Sequence, residues 1–204
     1  MHVDRRNPLP GLLTGPPSGG SGEPACVSYV PGWLEDDDRW MASLVTSIAW
    51  RQPTVTVFGR RHPTPRLTAW YGDAAYSYSG IRHEPAPFPA PLAAIRERLT
   101  DGTGVRFNSC LANLYRDGSD SMGAHADNEP ELGPDPTIAS LSLGARRRFV
   151  LTHVESRAHS TWSLGGGDLL VMSGESQRDY RHAVPKTSAR VGQRLNLTFR
   201  VFAT

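Results

Sequence analysis

The chain has 204 residues and 38% hydrophobic content, enough for one sizeable core, so we expect a single folded domain. The formal net charge is only +2, which favours no class of partner, and no run of 18 apolar residues predicts a membrane span. Two cysteines, Cys26 and Cys110, are too few for a disulfide framework. With no signal peptide at the start of the chain, they predict a cytoplasmic location.

The first part of the chain is poor in residues that can form a core. Residues 7–24 consist largely of proline, glycine and serine. Such a segment buries little apolar surface, so we predict a disordered tail over residues 1–25 and a folded domain over residues 26–204.

Two segments have the apolar spacing of amphipathic helices. The first is predicted over 35–48, with aspartates near its start and an apolar stripe made of Trp40, Met41, Leu44, Val45 and Ile48. The second is predicted over 91–99, with a proline at its start and Leu92, Ile95 and Leu99 on one face.

From residue 105 onward the pattern changes to short strands separated by glycine- and proline-containing turns. The predicted strands are 106–115, 137–143, 148–153, 160–164, 168–172, 181–184 and 193–202. Three successive glycines, 165–167, lack the lysine and helix of a phosphate-binding loop and predict a tight turn. Many short strands after a helical start predict an α+β protein built on a jelly roll, with a core over residues 105–204.

The last predicted strand alternates without interruption between polar and apolar residues. Side chains in a strand repeat every two residues, so Arg194, Asn196, Thr198 and Arg200 share one face. Two arginines beside an apolar core are costly unless an anion meets them. This strand therefore predicts a site for a small dicarboxylate or a phosphate.

A metal site is the second chemical signal. His125 and Asp127 lie two residues apart and point the same way in an extended segment, and His182 follows 55 residues after Asp127. Two histidines and one carboxylate leave coordination positions open, as in non-heme Fe(II) oxygenases, whereas a closed structural site needs a further ligand. A dicarboxylic 2-oxo acid chelating that iron would need a distant cation, which Arg194 or Arg200 can supply. Hydrogen bonds to it are expected from Asn113, Tyr115, Asn196 and Thr198.

These residues occur in an ordered series that resembles a known family. The series is NLYRDGSD from Asn113, His125-x-Asp127-x-Glu129, IASLSLG from Ile138, His182, and RLNLTFR from Arg194. It is similar to the AlkB family of Fe(II)/2-oxoglutarate dioxygenases over roughly residues 28–202, and nearest to the human-type branch that repairs duplex DNA. Residues 50–85 resemble the nucleotide-recognition region of that branch. The resemblance implies a double-stranded β-helix with N-terminal helices and a β-hairpin lid.

The resemblance also implies roles for individual residues. It makes His125, Asp127 and His182 the iron ligands, and it places 2-oxoglutarate against Asn113, Tyr115, Arg194, Asn196, Thr198 and Arg200. Within that set we assign the distal carboxylate to Arg194 and the chelating end to Arg200. The implied reaction uses Fe(II), O2 and 2-oxoglutarate, hydroxylates an N-methyl group on a damaged base, and releases succinate, CO2 and formaldehyde.

A base extruded from the duplex needs flat surfaces above and below it and an acceptor for its amino group. The resemblance offers His125 and Tyr78 as the two faces, with Tyr76 close by, and Glu129 as the acceptor. Arg66 is a candidate for the lid, although the chain has Asn128 where the branch has its acidic partner. Phe58 is either a wedge that fills the gap left by the base or a buried strand residue. Without the resemblance, the two tyrosines would be read as ordinary hairpin packing.

The leading hypothesis is an oxidative demethylase for 1-methyladenine and 3-methylcytosine type lesions in DNA. It predicts a monomer that binds alkylated DNA, does not bind membranes and associates with the nucleoid while acting. An alternative keeps the reaction but acts on RNA, a protein or a small molecule. A third possibility, from another class, is a non-catalytic nucleic-acid-binding module.

Overall fold

A computed structural model describes residues 24–57, 60–72, 76–78, 81–84 and 86–203. For residues 56, 57, 76–78 and 81–83 only the backbone is described. The tail predicted over residues 1–25 lies almost entirely outside the described residues, so its disorder stays a prediction. Phe58 also lies outside them.

The described residues form two antiparallel sheets and two separate hairpins. The strands of the larger sheet are β1 (Val27–Val30), β4 (Leu67–Gly72), β7 (Ser109–Tyr115), β9 (Ile138–Gly144), β12 (Asp168–Met172) and β14 (Arg194–Arg200). Those of the smaller sheet are β8 (Met122–His125), β10 (Arg147–His153), β11 (His159–Leu164) and β13 (Tyr180–Val184). The six-stranded sheet has the order β1-β12-β9-β14-β7-β4 and the four-stranded sheet the order β11-β10-β13-β8. The hairpins are β2 (Thr54–Val57) with β3 (Arg60–Pro63), and β5 (Tyr76–Tyr78) with β6 (Ile81–His83).

Two longer helices precede the central strands, as predicted. Helix α1 (Asp37–Ser47) begins after Asp36, which has a left-handed backbone conformation, and α2 (Ala90–Thr103) ends at Gly104, which also has a positive φ. The predicted end of the second helix at residue 99 was wrong because residues 100–103 continue the helix to that glycine. A short helix, α3 (Ser176–Asp179), was not predicted.

The helices cover one face of the larger sheet, because the apolar side chains of the alternating strands point toward them. Leu195, Leu197 and Phe199 of β14 are fully buried in one cluster with the apolar faces of α1 and α2. Leu44 is the fully buried member of the predicted stripe on α1. The polar side chains of the same strand therefore point to the opposite face, which carries the site.

The smaller sheet contributes to a second apolar cluster with the larger one. Phe149, Leu151 and Trp162 from the smaller sheet pack with Ile138 and Met172 from the larger. Two antiparallel sheets with helices against one of them form a jelly roll, which confirms the predicted fold class. None of the helices in the described part of the chain has the length and hydrophobicity of a membrane-spanning segment.

Several strand predictions need correction. The strands do not begin at residue 105, since β1 and β4 of the larger sheet come earlier in the chain. Five of the six residues of β4 are buried, so it lacks the alternating pattern that marks a half-exposed strand. Strand β7 begins at Ser109 rather than Arg106, and just before it the Asn108 side chain exchanges two hydrogen bonds with the backbone of Phe202. Strand β8 was missed, and His125 is its last residue rather than part of a loop.

Candidate metal and co-substrate site

Neighbouring strands of the smaller sheet bring the two predicted histidine ligands together. His125 ends β8 and is directly opposite His182 of β13 in the antiparallel register. Their ring centroids are 4.2 Å apart, and Nδ1 of His125 lies 2.9 Å from the carbonyl oxygen of Gly123. Cross-strand pairing therefore provides the juxtaposition that the sequence spacing alone could not establish.

Asp127 completes the group. One ligand atom from each of His125, Asp127 and His182 lies within 4.8 Å of the others. The Asp127 carboxylate is buried, and its Oδ1 is 3.5 Å from Nε2 of His125. Gln177 of α3 orients the backbone here, since its Oε1 accepts a hydrogen bond of 2.9 Å from the Asp127 N–H.

Arg200 holds the Asp127 carboxylate from the larger sheet. Its Nε and one terminal nitrogen donate to Oδ2 of Asp127 at 2.9 and 2.6 Å, and both side chains are almost completely buried. Burial raises the pKa of the Asp127 carboxyl, but the Arg200 charge and the nearby histidines outweigh burial and lower that pKa well below its usual range. Asp127 is therefore ionised, as a metal ligand must be.

His182 is held in its neutral form. Burial, which is the largest cause, and the nearby His125 lower the pKa of His182 to about 3. Its Nδ1 is buried and has no hydrogen-bond partner in the described part of the chain. A neutral imidazole beside an ionised carboxylate is the protonation state in which both groups can bind a divalent metal.

Arg194 is a buried cation at the other end of the same face of β14. Its side chain is 1% exposed, and one terminal nitrogen donates to Oγ of Ser142 at 2.8 Å. The remaining two nitrogens, Nε and Nη1, have no partner among the described residues. Burial lowers the pKa of Arg194, but a guanidinium remains charged at neutral pH. Two unused donors on a buried charge indicate an anion site.

The four polar side chains of β14 all line one pocket, together with the three candidate metal ligands. Between the two arginines, Asn196 donates to Oγ of Ser140 and to the carbonyl of Leu141, and accepts from Oγ1 of Thr198. Both amide hydrogens of Asn196 are thus used within the protein. Direct binding of 2-oxoglutarate by Asn196 and Thr198 stays a prediction.

Asn113 and Tyr115 lie on β7, opposite Asn196 and Arg194 of β14. The Arg194 guanidinium carbon is 5.2 Å from the centre of the Tyr115 ring. The Oδ1 atom of Asn113 accepts a hydrogen bond of 2.7 Å from Nε of Arg66. That bond orients the Asn113 amide and leaves its nitrogen as the group able to donate to a carboxylate.

The predicted base-contacting residues are less completely described. Arg66 is buried, and its described side-chain hydrogen bonds go to Asn113 and to the backbone of Ser121. The structure therefore places it beside Asn113, a predicted contact of 2-oxoglutarate. Glu129 is half-buried and is not among the residues that line the described pocket. Tyr76 and Tyr78 lie on β5, but their side chains are outside the described part of the chain.

Sequence reasoning missed several residues that support this site. Ser140 and Ser142 alternate on β9 and face the polar side of β14, a signal visible in the sequence as polar residues every second position. Gln177 and Arg147 had no such signal, because their partners lie far away along the chain.

The fold and the site together define a class of protein. Residues 27–200 match the 2OG-Fe(II) oxygenase superfamily, and the chain belongs to this superfamily. Fe(II), 2-oxoglutarate and O2 are the cofactor and co-substrates that the family requires.

Three known proteins make the relationship more specific. The chain is 40% identical over 186 residues to alpha-ketoglutarate-dependent dioxygenase alkB homolog 3 of Rattus norvegicus, covering 85% of this chain and 63% of that protein. It is also 40% identical over 156 residues to the DNA oxidative demethylase ALKBH2 of Homo sapiens, covering 72% of this chain and 60% of that protein. The solved structure of OsALKBH1 matches the fold with a TM-score of 0.63 at 19% identity, over 86% of this chain and 98% of that one. The predicted AlkB resemblance is confirmed, and the chain spans somewhat less than two thirds of the two sequence relatives.

The residues present fit the family's metal and co-substrate. An ionised carboxylate and a neutral histidine beside a second histidine are suitable ligands for Fe(II). The buried Arg194, with two unused donors, suits the far carboxylate of 2-oxoglutarate.

Proposed function

We propose that this protein is an Fe(II)- and 2-oxoglutarate-dependent oxidative demethylase for N-methylated bases in DNA, of the 1-methyladenine and 3-methylcytosine type. The observation that carries the proposal is one pocket that contains both the three candidate metal ligands and the buried anion site of Arg194. The ALKBH2 relatives are DNA oxidative demethylases, which supports nucleic acid as the substrate.

His125, Asp127 and His182 would hold the metal. When bound, Fe(II) with O2 and 2-oxoglutarate supplies the oxidation that converts the N-methyl group to formaldehyde, with succinate and CO2 as further products. Arg200 keeps Asp127 ionised and fixes its orientation through two hydrogen bonds to one oxygen, leaving the other oxygen toward His125.

Arg194 would hold the distal carboxylate of 2-oxoglutarate. Asn113 and Tyr115 lie opposite β14 along the same pocket and would orient the rest of that molecule. Arg200 lies at the metal end of the strand, bound to Asp127, which supports the assignment of the chelating end to this side. The co-substrate would thus lie along β14 between the two arginines.

A nucleic-acid strand would approach from the β2–β3 hairpin. Arg60, Arg61 and His62 of β3 are exposed there and can contact phosphates. A methyl group on a Watson–Crick nitrogen breaks base pairing, so the damaged base costs less to extrude. His125 and Tyr78 would contact its two faces, Tyr76 would lie close by, and Glu129 would accept from its amino group.

The direct test is formaldehyde release from oligonucleotides with a single 1-methyladenine or 3-methylcytosine, as single- and double-stranded DNA and RNA. We expect release that depends on Fe(II) and 2-oxoglutarate and is lost in His125→Ala. His159→Ala is the matched control, since His159 is exposed on β11 and outside the pocket, and it should retain full turnover. Full turnover by His125→Ala would refute the metal assignment, and release from RNA alone would replace DNA as the substrate.

Substitution of Phe58 distinguishes repair of duplex DNA from action on single strands. If it fills the gap left by the base, Phe58→Ala should lose most activity on duplex DNA and little on single strands. An equal effect on both, or no effect on either, would contradict a role in opening the duplex.

A further inference from the structure

Arg147 is a second buried cation close to the co-substrate end of the pocket. It is the first residue of β10, and its side chain is 3% exposed. Its described hydrogen bonds all go to backbone carbonyls: Asp117 at 2.8 Å, Asp120 at 2.9 Å, Pro185 at 2.8 Å and Gly118 at 3.4 Å. Within the described ranges no carboxylate forms an ion pair with it.

Those carbonyls belong to the segments next to the metal-ligand strands. Residues 117–120 lead into β8, which ends at His125, and Pro185 directly follows β13, which carries His182. The two segments also touch each other, since the Thr187 N–H donates to the Gly118 carbonyl. A methyl group added at Gly118 would lie 2.5 Å from the Thr187 carbonyl oxygen, so the contact is tight. Arg147 therefore ties together the ends of both ligand-bearing strands.

The charge of Arg147 also acts on the anion site. Its guanidinium carbon lies 5.8 Å from the centre of the Tyr115 ring, and that of Arg194 lies 5.2 Å from the same ring. The two like charges are close enough that Arg147 contributes to lowering the pKa of Arg194. Arg147 is not among the residues that line the pocket, but its guanidinium and that of Arg194 both lie near the Tyr115 ring, and no described carboxylate is bound to either. The two charges together therefore favour an anion at this end of the pocket.

We propose that Arg147 is a positioning residue that makes the pocket selective for a 2-oxo acid with a second carboxylate. It does so without touching that acid. It holds the ends of the ligand-bearing strands through the four carbonyls, and its charge adds to that of Arg194 at the distal carboxylate. This inference rests on the proposed use of 2-oxoglutarate.

The test compares 2-oxoglutarate with 2-oxopentanoate, which has the same chain length but lacks the distal carboxylate. Binding of each to the Mn(II)-loaded full-length protein is measured by calorimetry in the absence of O2. In Arg147→Gln, which removes the charge but keeps a donor for the carbonyls, we expect about tenfold weaker binding of 2-oxoglutarate. Binding of 2-oxopentanoate should change less than about twofold, because it has no charge at that end. Arg147→Lys keeps the charge and should keep the preference for the dicarboxylate.

Arg148→Gln is the matched control, because Arg148 is the exposed neighbour on the same strand and should leave both affinities unchanged. If Arg147→Gln weakens the binding of both ligands equally, the role of Arg147 is merely structural and the proposal is overturned. A roughly tenfold loss of the preference for 2-oxoglutarate in Arg147→Lys would also overturn the proposal, because this variant keeps the charge. That measurement does not require the glutamine variant to fold. A wild-type protein that binds 2-oxoglutarate no better than 2-oxopentanoate would instead overturn the proposed co-substrate.

Discussion

Replacing Arg194 by methionine should damage co-substrate binding without damaging the fold. Methionine keeps an unbranched apolar stem but is shorter than arginine, and it removes the buried charge and the two nitrogens that have no described partner. A charge-assisted hydrogen bond contributes about 1.5–3 kcal/mol, so losing the contacts of both nitrogens should cost about 3 kcal/mol of binding free energy. The dissociation constant of 2-oxoglutarate should therefore rise roughly a hundredfold.

The same substitution should leave the ligand-free protein as stable as before. Arg194→Met loses one hydrogen bond to Ser142, worth about 1 kcal/mol, but it also removes the desolvation penalty of a buried cation. We expect the free energy of unfolding without ligand to change by less than about 1 kcal/mol or to increase. A residue needed only for folding would show the opposite pattern.

Denaturant unfolding with and without 2-oxoglutarate measures both effects. At a ligand concentration about 100 times the wild-type dissociation constant, the wild type should gain about 2.7 kcal/mol and the variant about 0.4 kcal/mol. Arg148→Met is the control, since this exposed arginine should leave both values unchanged. The reasoning is refuted if Arg194→Met loses more than about 2 kcal/mol without ligand while its affinity for 2-oxoglutarate is unchanged. Affinity for DNA should remain nearly the same in this variant.

Two further predictions concern stability. Gly167 has a φ of +83°, and a methyl group added there would collide with the Leu34 carbonyl, so Gly167→Ala should lose about 2 kcal/mol or more in denaturant unfolding. Gly123→Ala, where a methyl group meets open space, should change stability by less than about 0.5 kcal/mol, and equal losses would contradict this packing argument. Burial raises the pKa of Asp120, but the hydrogen bonds from Arg116 outweigh burial and lower this pKa below its usual value. The ionised Asp120 therefore stabilises the folded protein above about pH 4, and this contribution is lost as the pH falls. Asp120→Asn should therefore be less stable than wild type at pH 7. We expect a loss of only about 1 kcal/mol, because Arg116 is partly exposed to solvent. A stability difference that is unchanged at pH 2 would contradict this reasoning.

The last strand was predictable from its sequence because its alternation is a local property of the backbone. Any extended segment with polar residues at 194, 196, 198 and 200 must place them on one face, and the structure confirms this for β14. The strand β4 was not predictable, since burial on both faces removes the alternating pattern. The short β8 lacked enough residues to show any pattern.

The residue types of the candidate site were likewise determined by the sequence. A histidine, an aspartate, a second histidine and two arginines, in this order, indicated a metal site with open coordination positions and an anion site. The difference between the partners of the two arginines depended on the tertiary structure. Arg200 is bound to Asp127, 73 residues away in sequence, whereas Arg194 keeps two nitrogens without described partners.

The partners of Arg147 and Arg66 also depend on the tertiary structure and not on the local sequence. Within the sequence, Arg147 is one of three consecutive arginines at a turn, and nothing local separates it from its exposed neighbour Arg148. The order of the strands decides that Arg147 meets the carbonyls of two distant segments and that Arg66 meets Asn113. Side-chain periodicity is local and can be read from the sequence, but hydrogen-bond partners across a sheet depend on strand order, which only the folded chain sets.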